Sequence, residues 1–347
     1  MKYKFIQSVV ASNFRRLDMP LKLSYAVTYR CNLKCKMCRI WNKDSPSEEL
    51  QPDCLESLLK DARGIYWFGI TGGEPFLRDD IYEIAEVALK NCPDLRAIHF
   101  ATNGTLTDRI ERFMSRLRKT HENAQIVATI SIDGPPPLHD RIRGREGVWS
   151  AAIESFKLLR KFPYTKPQFG FTLSHHNLGR FEEAFHALKE VYPPLRFDDI
   201  TVNIFQRSSF YYENQDMPGL DKAALVQSIK NIQGMDNDGL SLNNFLRRAY
   251  LNLYLKYLKT GKPPLTCQSF SSTAFLDPCG NLFPCAVYQR KLLNVKESGA
   301  PLKAIWQFDE ALKIRRECAR NECPGCWSPC DAYSAIGGSL IPAVITS

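Results

Sequence analysis

The feature that most limits how this chain can fold is a repeated switch of hydrophobic period. Strand-like runs at 21–27, 65–71, 96–102, 125–133, 168–174 and 200–205 alternate with helical patterns at 53–63, 79–91, 107–119, 148–161 and 178–191. Strand followed by helix, repeated this often, demands a parallel sheet with its helices outside. We expect an α/β fold, a parallel sheet of six or nearly six βα units over 21–235. Residues 1–20 precede it as an amphipathic segment, and 236–347 follow as a helical linker and a cysteine-rich unit. Functional residues of such sheets gather where strands end and loops begin.

The loop after the first strand carries Cys31, Cys35 and Cys38 in a C-x3-C-x2-C array. Three thiolates on one loop can hold three irons of a cubane cluster and leave the fourth iron open to a ligand. A closed electron-transfer site uses four cysteines, whereas an open corner does chemistry. The competing reading is zinc, which needs four ligands and usually draws them from two C-x2-C knuckles.

The other strand ends are also rich in polar residues. Thr71-Gly72-Gly73-Glu74-Pro75 follows the second strand, and its glycines let backbone approach a ligand closely. Thr102-Asn103-Gly104 follows the third, and by itself is an ordinary turn. Ser131 and Asp133 end the fourth and suit a ribose diol, while Arg143 offers a fork for a carboxylate. Asp133 and Asp140 read equally well as caps or ion-pair partners. After the fifth strand, Ser174 or Asn177 is expected to cap the next helix, with a cofactor contact as the alternative. His175 and His176 read as solvated loop residues, with an acid–base role as the alternative.

Composition narrows the class. The chain has 347 residues, a formal charge of +9 and 12 cysteines. Its length and the metal-site spacing of those cysteines speak against a small disulfide-stapled secreted domain, and we expect a reducing cytoplasm. No apolar run is long enough to span a membrane. Basic residues are not interleaved with aromatics as in a nucleic-acid-binding stripe. In the first 20 residues, Lys2, Lys4, Arg15 and Arg16 alternate with Phe5, Ile6, Val9, Val10 and Phe14. That pattern suits a surface helix lying over the barrel, or docking to a membrane surface or partner.

Seven cysteines lie near the carboxyl end: Cys267, Cys279, Cys285, Cys318, Cys323, Cys326 and Cys330. Between the first and third of these, 274–284 reads as a hairpin with Gly280-Asn281 at its turn. A helix is expected over 302–317, followed by C-x2-C-x3-C. C-x2-C pairs also build zinc ribbons, so zinc is the alternative here too.

C-x3-C-x2-C, then GGEP, TNG, SxDG and HDxxRG in this order resemble the radical S-adenosylmethionine superfamily. The resemblance implies a partial (β/α)6 TIM-like barrel over 21–235 and a [4Fe-4S] cluster on Cys31, Cys35 and Cys38. Its free iron chelates the amino and carboxylate groups of S-adenosylmethionine. One electron then yields methionine and a 5′-deoxyadenosyl radical that abstracts a substrate hydrogen. Gly72, Gly73 and Glu74 would meet the methionine amino group, with Thr102, Asn103, Ser131, Asp133, Arg143 and Ser174 as further cofactor contacts. Met37 stands where members of the family usually carry an aromatic residue.

The hairpin, helix and cysteine knot resemble the SPASM/Twitch auxiliary-cluster domain. The resemblance implies at least one auxiliary [4Fe-4S] cluster, held by Cys267, Cys285, Cys323 and Cys326, with Cys330 competing for a place. Cys279 and Cys318 are left as spare. One auxiliary cluster is expected rather than two, because the fuller cysteine pattern of that domain is not met. The implied partners are a peptide or small-molecule substrate and an external flavodoxin- or ferredoxin-like electron donor. An iron–sulfur electron carrier and a zinc-stabilised binding protein are the non-enzymatic alternatives.

Overall fold

The computed structural model describes residues 8, 11–12, 17–44, 48–236, 239 and 241–339. The basic and apolar positions of the amphipathic segment named above lie outside the described residues. Six parallel strands, β1 (Lys22–Thr28), β2 (Trp67–Gly72), β3 (Ala97–Thr102), β4 (Ile126–Ser131), β5 (Thr165–Leu173) and β6 (Ile200–Ile204), neighbour one another in sequence order. Between them run α1 (Pro52–Leu58), α2 (Ile81–Asn91), α3 (Thr107–Thr120), α4 (Pro136–Arg143), α5 (Val148–Leu159) and α6 (Phe181–Val191). This is the expected partial βα barrel. The helices take their places by burying one stripe each. In α3, Ile110, Phe113, Met114 and Leu117 recur at helical spacing and pack with the outward side chains Phe68, Phe100 and Ile130 of the sheet.

Several boundaries differ from the sequence reading, among them that of α1, which stops at Leu58 rather than 63. β5 begins at Thr165 rather than 168, with Pro167 inside it; β6 pairs only from Phe169, so the missing N–H costs no bond on that side. The helix expected over 302–317 is two, α10 (Leu302–Ile305) and α11 (Asp309–Ala319). Trp306 breaks it, fully buried, stacked on Phe270 at 5.0 Å and donating to the Leu17 carbonyl at 3.1 Å. Helix α4, carrying the HDxxRG residues, was read only as a motif. Its signature is a proline at its start and Gly144 after its end at φ +76°.

Past β6 come α7 (Lys222–Met235), within the range read as barrel, and α8 (Leu242–Thr260), within the range read as linker. The expected hairpin follows as β7 (Thr273–Leu276) and β8 (Asn281–Phe283), with β9 (Leu293–Asn294) beside it. Its turn spans 277–280, closed by the Gly280 amide on the Asp277 carbonyl at 3.1 Å; Asn281 is already strand. β7 pairs in parallel with β1, matching Lys22 to Thr273, so one sheet of 9 strands runs from the barrel into the hairpin. Short α9 (Val295–Ser298) precedes α10, and α12 (Pro329–Gly338) ends the described chain. Among the described residues, no helix is long and apolar enough to cross a membrane.

Candidate active site

The loop from Cys31 to Cys38 leaves the carboxyl end of β1 and is pinned from three sides. Its Lys36 amide donates to the Ile142 carbonyl at the end of α4, at 2.9 Å. Gly144, just beyond α4, lies so near that a Cβ there would be 2.8 Å from the Lys34 carbonyl oxygen. Asn32 receives a bond from the Asn103 side chain at 2.8 Å and gives one to Thr105 at 2.9 Å. Cys35 is buried and Cys31 and Cys38 half-buried. Burial pushes the Cys31 thiol up to about 11 and the Cys38 thiol up to about 12. Thiols this costly to ionise become thiolates when a metal supplies the compensating charge.

The two glycines after β2 have a partner that the sequence reading did not name. They bring the GGEP backbone onto the chain entering the cysteine loop, not only toward a ligand. The Gly73 amide donates to the Thr28 carbonyl and the Glu74 amide to the Arg30 carbonyl, both at 2.8 Å. Gly72 has φ +132°, and a Cβ there would be 2.3 Å from the Thr28 carbonyl oxygen. Glu74 is fully buried, and its carboxylate accepts from the Thr102 hydroxyl at 2.8 Å, the Asn103 amide at 2.8 Å and the Phe76 amide at 3.3 Å. Thr102 and Asn103 thus serve as the link between GGEP and the cysteine loop.

Burial raises the Glu74 carboxyl to about 7, against the pull of those bonds and Arg143. The folded chain then holds a proton that the unfolded chain has released, so this group removes stability as pH rises toward 7. Between pH 5.5 and 7 the wild type is expected to lose about 2 kcal/mol relative to Glu74→Gln. Urea unfolding of both proteins across that range checks it, and parallel profiles would contradict it.

Arg143 and Asp133 form a buried pair, Nη2 to Oδ2 at 2.5 Å, with Arg143 Nη1 3.7 Å from Cys35 Sγ. The carboxylate holds the guanidinium charged, above its ordinary range, against burial. Asp133 Oδ1 also accepts from the Thr172 amide at 3.0 Å. The Asp133 amide donates to His139 Nδ1 at 2.9 Å, and burial, then Arg143, keeps that ring neutral. Arg143 Nε and His139 Nε2 are buried donors without a protein partner. Donors of this kind beside three thiols fit a carboxylate-bearing cofactor on a cluster. Ser131 ends β4 half-buried on its inner face. Ser174 is fully buried and tied to Asn177, its amide 2.7 Å and its hydroxyl 3.2 Å from Oδ1. That bond locks a turn. Neither residue caps α6, whose first helical residue is Phe181.

Sequence reasoning missed the cover over this site. The loop 206–219 lies across the cysteine loop: Asn214 Nδ2 donates to the Met37 carbonyl at 3.1 Å, and the Arg39 amide donates to the Tyr212 carbonyl at 3.0 Å. Phe210 and Tyr211 pack with Tyr29, Cys31 and Cys38, and Tyr211 Oη is 3.4 Å from the Gly72 carbonyl oxygen. Met37 packs instead with Leu33, Leu138, Ile142 and Phe205. Phe210-Tyr211-Tyr212, an aromatic run inside an otherwise polar loop, was the available signal.

A second cavity is lined by Cys267, Cys285, Cys323 and Cys326, together with Cys318 and Asp331. Cys318, read as spare, is buried, and its thiol donates to Cys323, holding that sulfur down at about 6. Burial pushes Cys267 up to about 12 and raises Cys285 and Cys326 as well. Backbone amides of Ser269 and Tyr288 point at Cys267 and Cys285 sulfurs, at 3.5 and 3.3 Å. The Trp327 indole N–H lines the cavity, buried without a partner. Sulfur ligands flanked by N–H donors suit an iron–sulfur cluster. The Cys330 side chain lies outside the described residues. Among those described, no three Cys, His, Asp or Glu side chains close on a single ion position.

A parallel partial barrel with three thiols at the end of β1 and a second cysteine cavity beside a hairpin is the framework of an iron–sulfur enzyme. This chain matches, over residues 25–188, the family model described as Radical SAM superfamily. Its cofactors are a [4Fe-4S] cluster and S-adenosylmethionine, with an auxiliary cluster of the SPASM/Twitch type. The chain is 26% identical to the AdoMet-dependent heme synthase of Methanosarcina barkeri, over 93% of this chain and 95% of that one. It is 22% identical to mycofactocin maturase MftC of Mycolicibacterium smegmatis, over 95% and 80%. In fold it is similar to native anSMEcpe with bound AdoMet and Cp18Cys peptide, at 18% identity and a TM-score of 0.62, covering 94% of this chain and 98% of that one.

Proposed function

We propose that this enzyme abstracts a hydrogen from a peptide substrate, with Cys31, Cys35 and Cys38 holding the cofactor-binding cluster. The observation carrying the site assignment is the set of direct bonds joining the cysteine loop and the chain entering it to two other strand ends and to the end of α4: Asn32 to Asn103, the Gly73 and Glu74 amides to Thr28 and Arg30, and Arg143 to Cys35. When bound, the cluster and S-adenosylmethionine supply one-electron cleavage of a sulfonium and a 5′-deoxyadenosyl radical. Glu74 and the Gly72–Gly73 backbone orient an ammonium. Arg143, steadied by Asp133, meets a carboxylate, and Ser131 faces a ribose. Loop 206–219 keeps water from the cysteine loop. Thr102 and Asn103 act through Glu74, Met37 packs the wall behind the thiols, and Ser174 holds its turn in shape. Cys267, Cys285, Cys323 and Cys326 hold the auxiliary cluster, with Cys330 on the adjoining turn.

The peptide assignment is supported by the likeness in fold to a protein solved with a peptide bound, and by the maturase among the relatives. The electron donor is an external flavodoxin- or ferredoxin-like carrier. Eleven described cysteines are free, which suits a reducing cytoplasm. Anaerobic reconstitution is expected to give about eight irons per chain for two cubanes. Dithionite and S-adenosylmethionine should then yield 5′-deoxyadenosine. Deuterium from a labelled peptide should enter that product; transfer only from a porphyrin would move the substrate to the tetrapyrroles suggested by the heme synthase. No 5′-deoxyadenosine from fully loaded protein would sink the reading.

A further inference from the structure

A closed eight-stranded barrel fills its interior with bulky branched side chains. This partial barrel does not. Along β4, Ile126, Ala128 and Ile130 turn outward and are buried, whereas Val127, Thr129 and Ser131 turn inward and stay half-buried. The inward positions of the other strands include Ser24, Gly69, His99, Gln168 and Gly170. A Cβ on Gly170 would lie 2.7 Å from Thr129 Cγ2 and 3.9 Å from Asn203 Nδ2. One on Gly69 would lie 3.5 Å from Ser24 Oγ. The half-buried side chains on this face leave an accessible lumen walled largely by hydroxyls and amides, and at Gly170 the Thr129 methyl already fills the place a side chain would take.

A hydrogen-bonded chain crosses three strands inside it. Gln168 Nε2 donates to Thr129 Oγ1 at 3.0 Å, and His99 Nε2 lies 2.9 Å from the same oxygen. Trp67 stacks on the imidazole at 5.8 Å, with 29° between the rings, and fixes its plane. Burial, then Lys22, pushes His99 down to about 3, so the ring is neutral at any physiological pH. His99 stands three residues below Thr102 on β3, about 10 Å at 3.3 Å per residue. The chain therefore lies below the carboxyl ends of β3, β4 and β5.

We propose that the His99–Thr129–Gln168 chain is the specificity-determining floor of the substrate site and takes a neutral amide of a peptide by paired donor and acceptor contacts. The inference rests on the peptide reading above. A carboxamide, a hydroxyl and a neutral imidazole each offer both bonding senses or the complement of an amide. A carboxylate placed there would meet a neutral ring instead of a cation. An apolar group would leave buried polar atoms without partners, which is how a hydrogen-bonding site rejects analogues that lack the matching group.

Saturation-transfer NMR on the full-length, cluster-loaded protein tests this with N-acetylglycinamide as the probe, against acetate and toluene. The amide is expected to bind more tightly than either comparator. Thr129→Val and Gln168→Leu are each expected to weaken it about tenfold, and Thr129→Ser to restore it. Iron content and thermal unfolding of each variant establish that it is folded. If Thr129→Val does not fold, Gln168→Leu alone decides. Equal amide binding in the folded variants, or tighter binding of acetate or toluene, overturns the proposal. The probe assay needs no turnover. A failure to form 5′-deoxyadenosine would therefore sink the function while leaving this result standing, and the reverse holds too.

Discussion

Cys35→Ala is expected to lower 5′-deoxyadenosine formation more than about 100-fold and to remove about four irons per chain. Losing an outer-shell partner of a metal site typically costs 10–100-fold, and losing a ligand costs more. Cys35 is the middle thiol of the three, buried among Leu33, Met37, Leu138 and Ile142. That surround is largely apolar, and the polar atom that loses its partner on substitution by alanine is Arg143 Nη1. Arg143 keeps its bond to Asp133 when the sulfur goes, so its charge remains compensated. Folding should survive, and the loss can be assigned to the cluster. Cys326→Ala is the comparison. It should remove a similar amount of iron from the second cavity while part of the cofactor cleavage persists. Iron analysis with a 5′-deoxyadenosine assay under dithionite separates the two. Cleavage in Cys35→Ala within about tenfold of wild type would place the cofactor-binding cluster elsewhere.

The contrast between the two cysteine sets bears on what could be read from the chain alone. Hydrophobic periodicity carried the barrel, because each strand–helix unit buries its own stripe and the pattern repeats. Cys31, Cys35 and Cys38 were legible because all three sit on one loop, where spacing in sequence is spacing in space. Cys318 was not. It reaches the second cavity from the last turn of α11, and only the break at Trp306 and the docking of that helix bring it beside Cys323. The same holds for Tyr211 and Asn214, whose roles depend on how a loop folds back across β1. The union of β7 with β1 was hidden for another reason: strands of 4 and 7 residues carry no sequence signal for their partner. The glycines of GGEP were recognised, but what they touch was assigned to a ligand when the nearest contact is the chain itself.

That contact makes Gly73→Ala the substitution with the largest expected cost to the fold of the site. A Cβ on Gly73 would lie 2.1 Å from the Arg30 carbonyl oxygen and 2.6 Å from that of Tyr29. Both are backbone atoms that cannot rotate aside, so the two chains must separate. Separation breaks the Gly73–Thr28 and Glu74–Arg30 hydrogen bonds and pulls the Glu74 carboxylate from Thr102 and Asn103. Overpacking of this kind costs about 1–3 kcal/mol and each lost bond about 1 kcal/mol, so a total of roughly 3–5 kcal/mol is expected. Cofactor binding should fail as well, because the ammonium-orienting residues move with the strand end. Gly234→Ala supplies the control. It lies in α7 with nothing within 4 Å of its Cβ position, and alanine there should raise stability by up to about 1 kcal/mol. Urea unfolding of both variants measures the difference. If Gly73→Ala proved as stable as wild type and still bound S-adenosylmethionine, the packing of GGEP onto Thr28–Arg30 would not be what holds the site together.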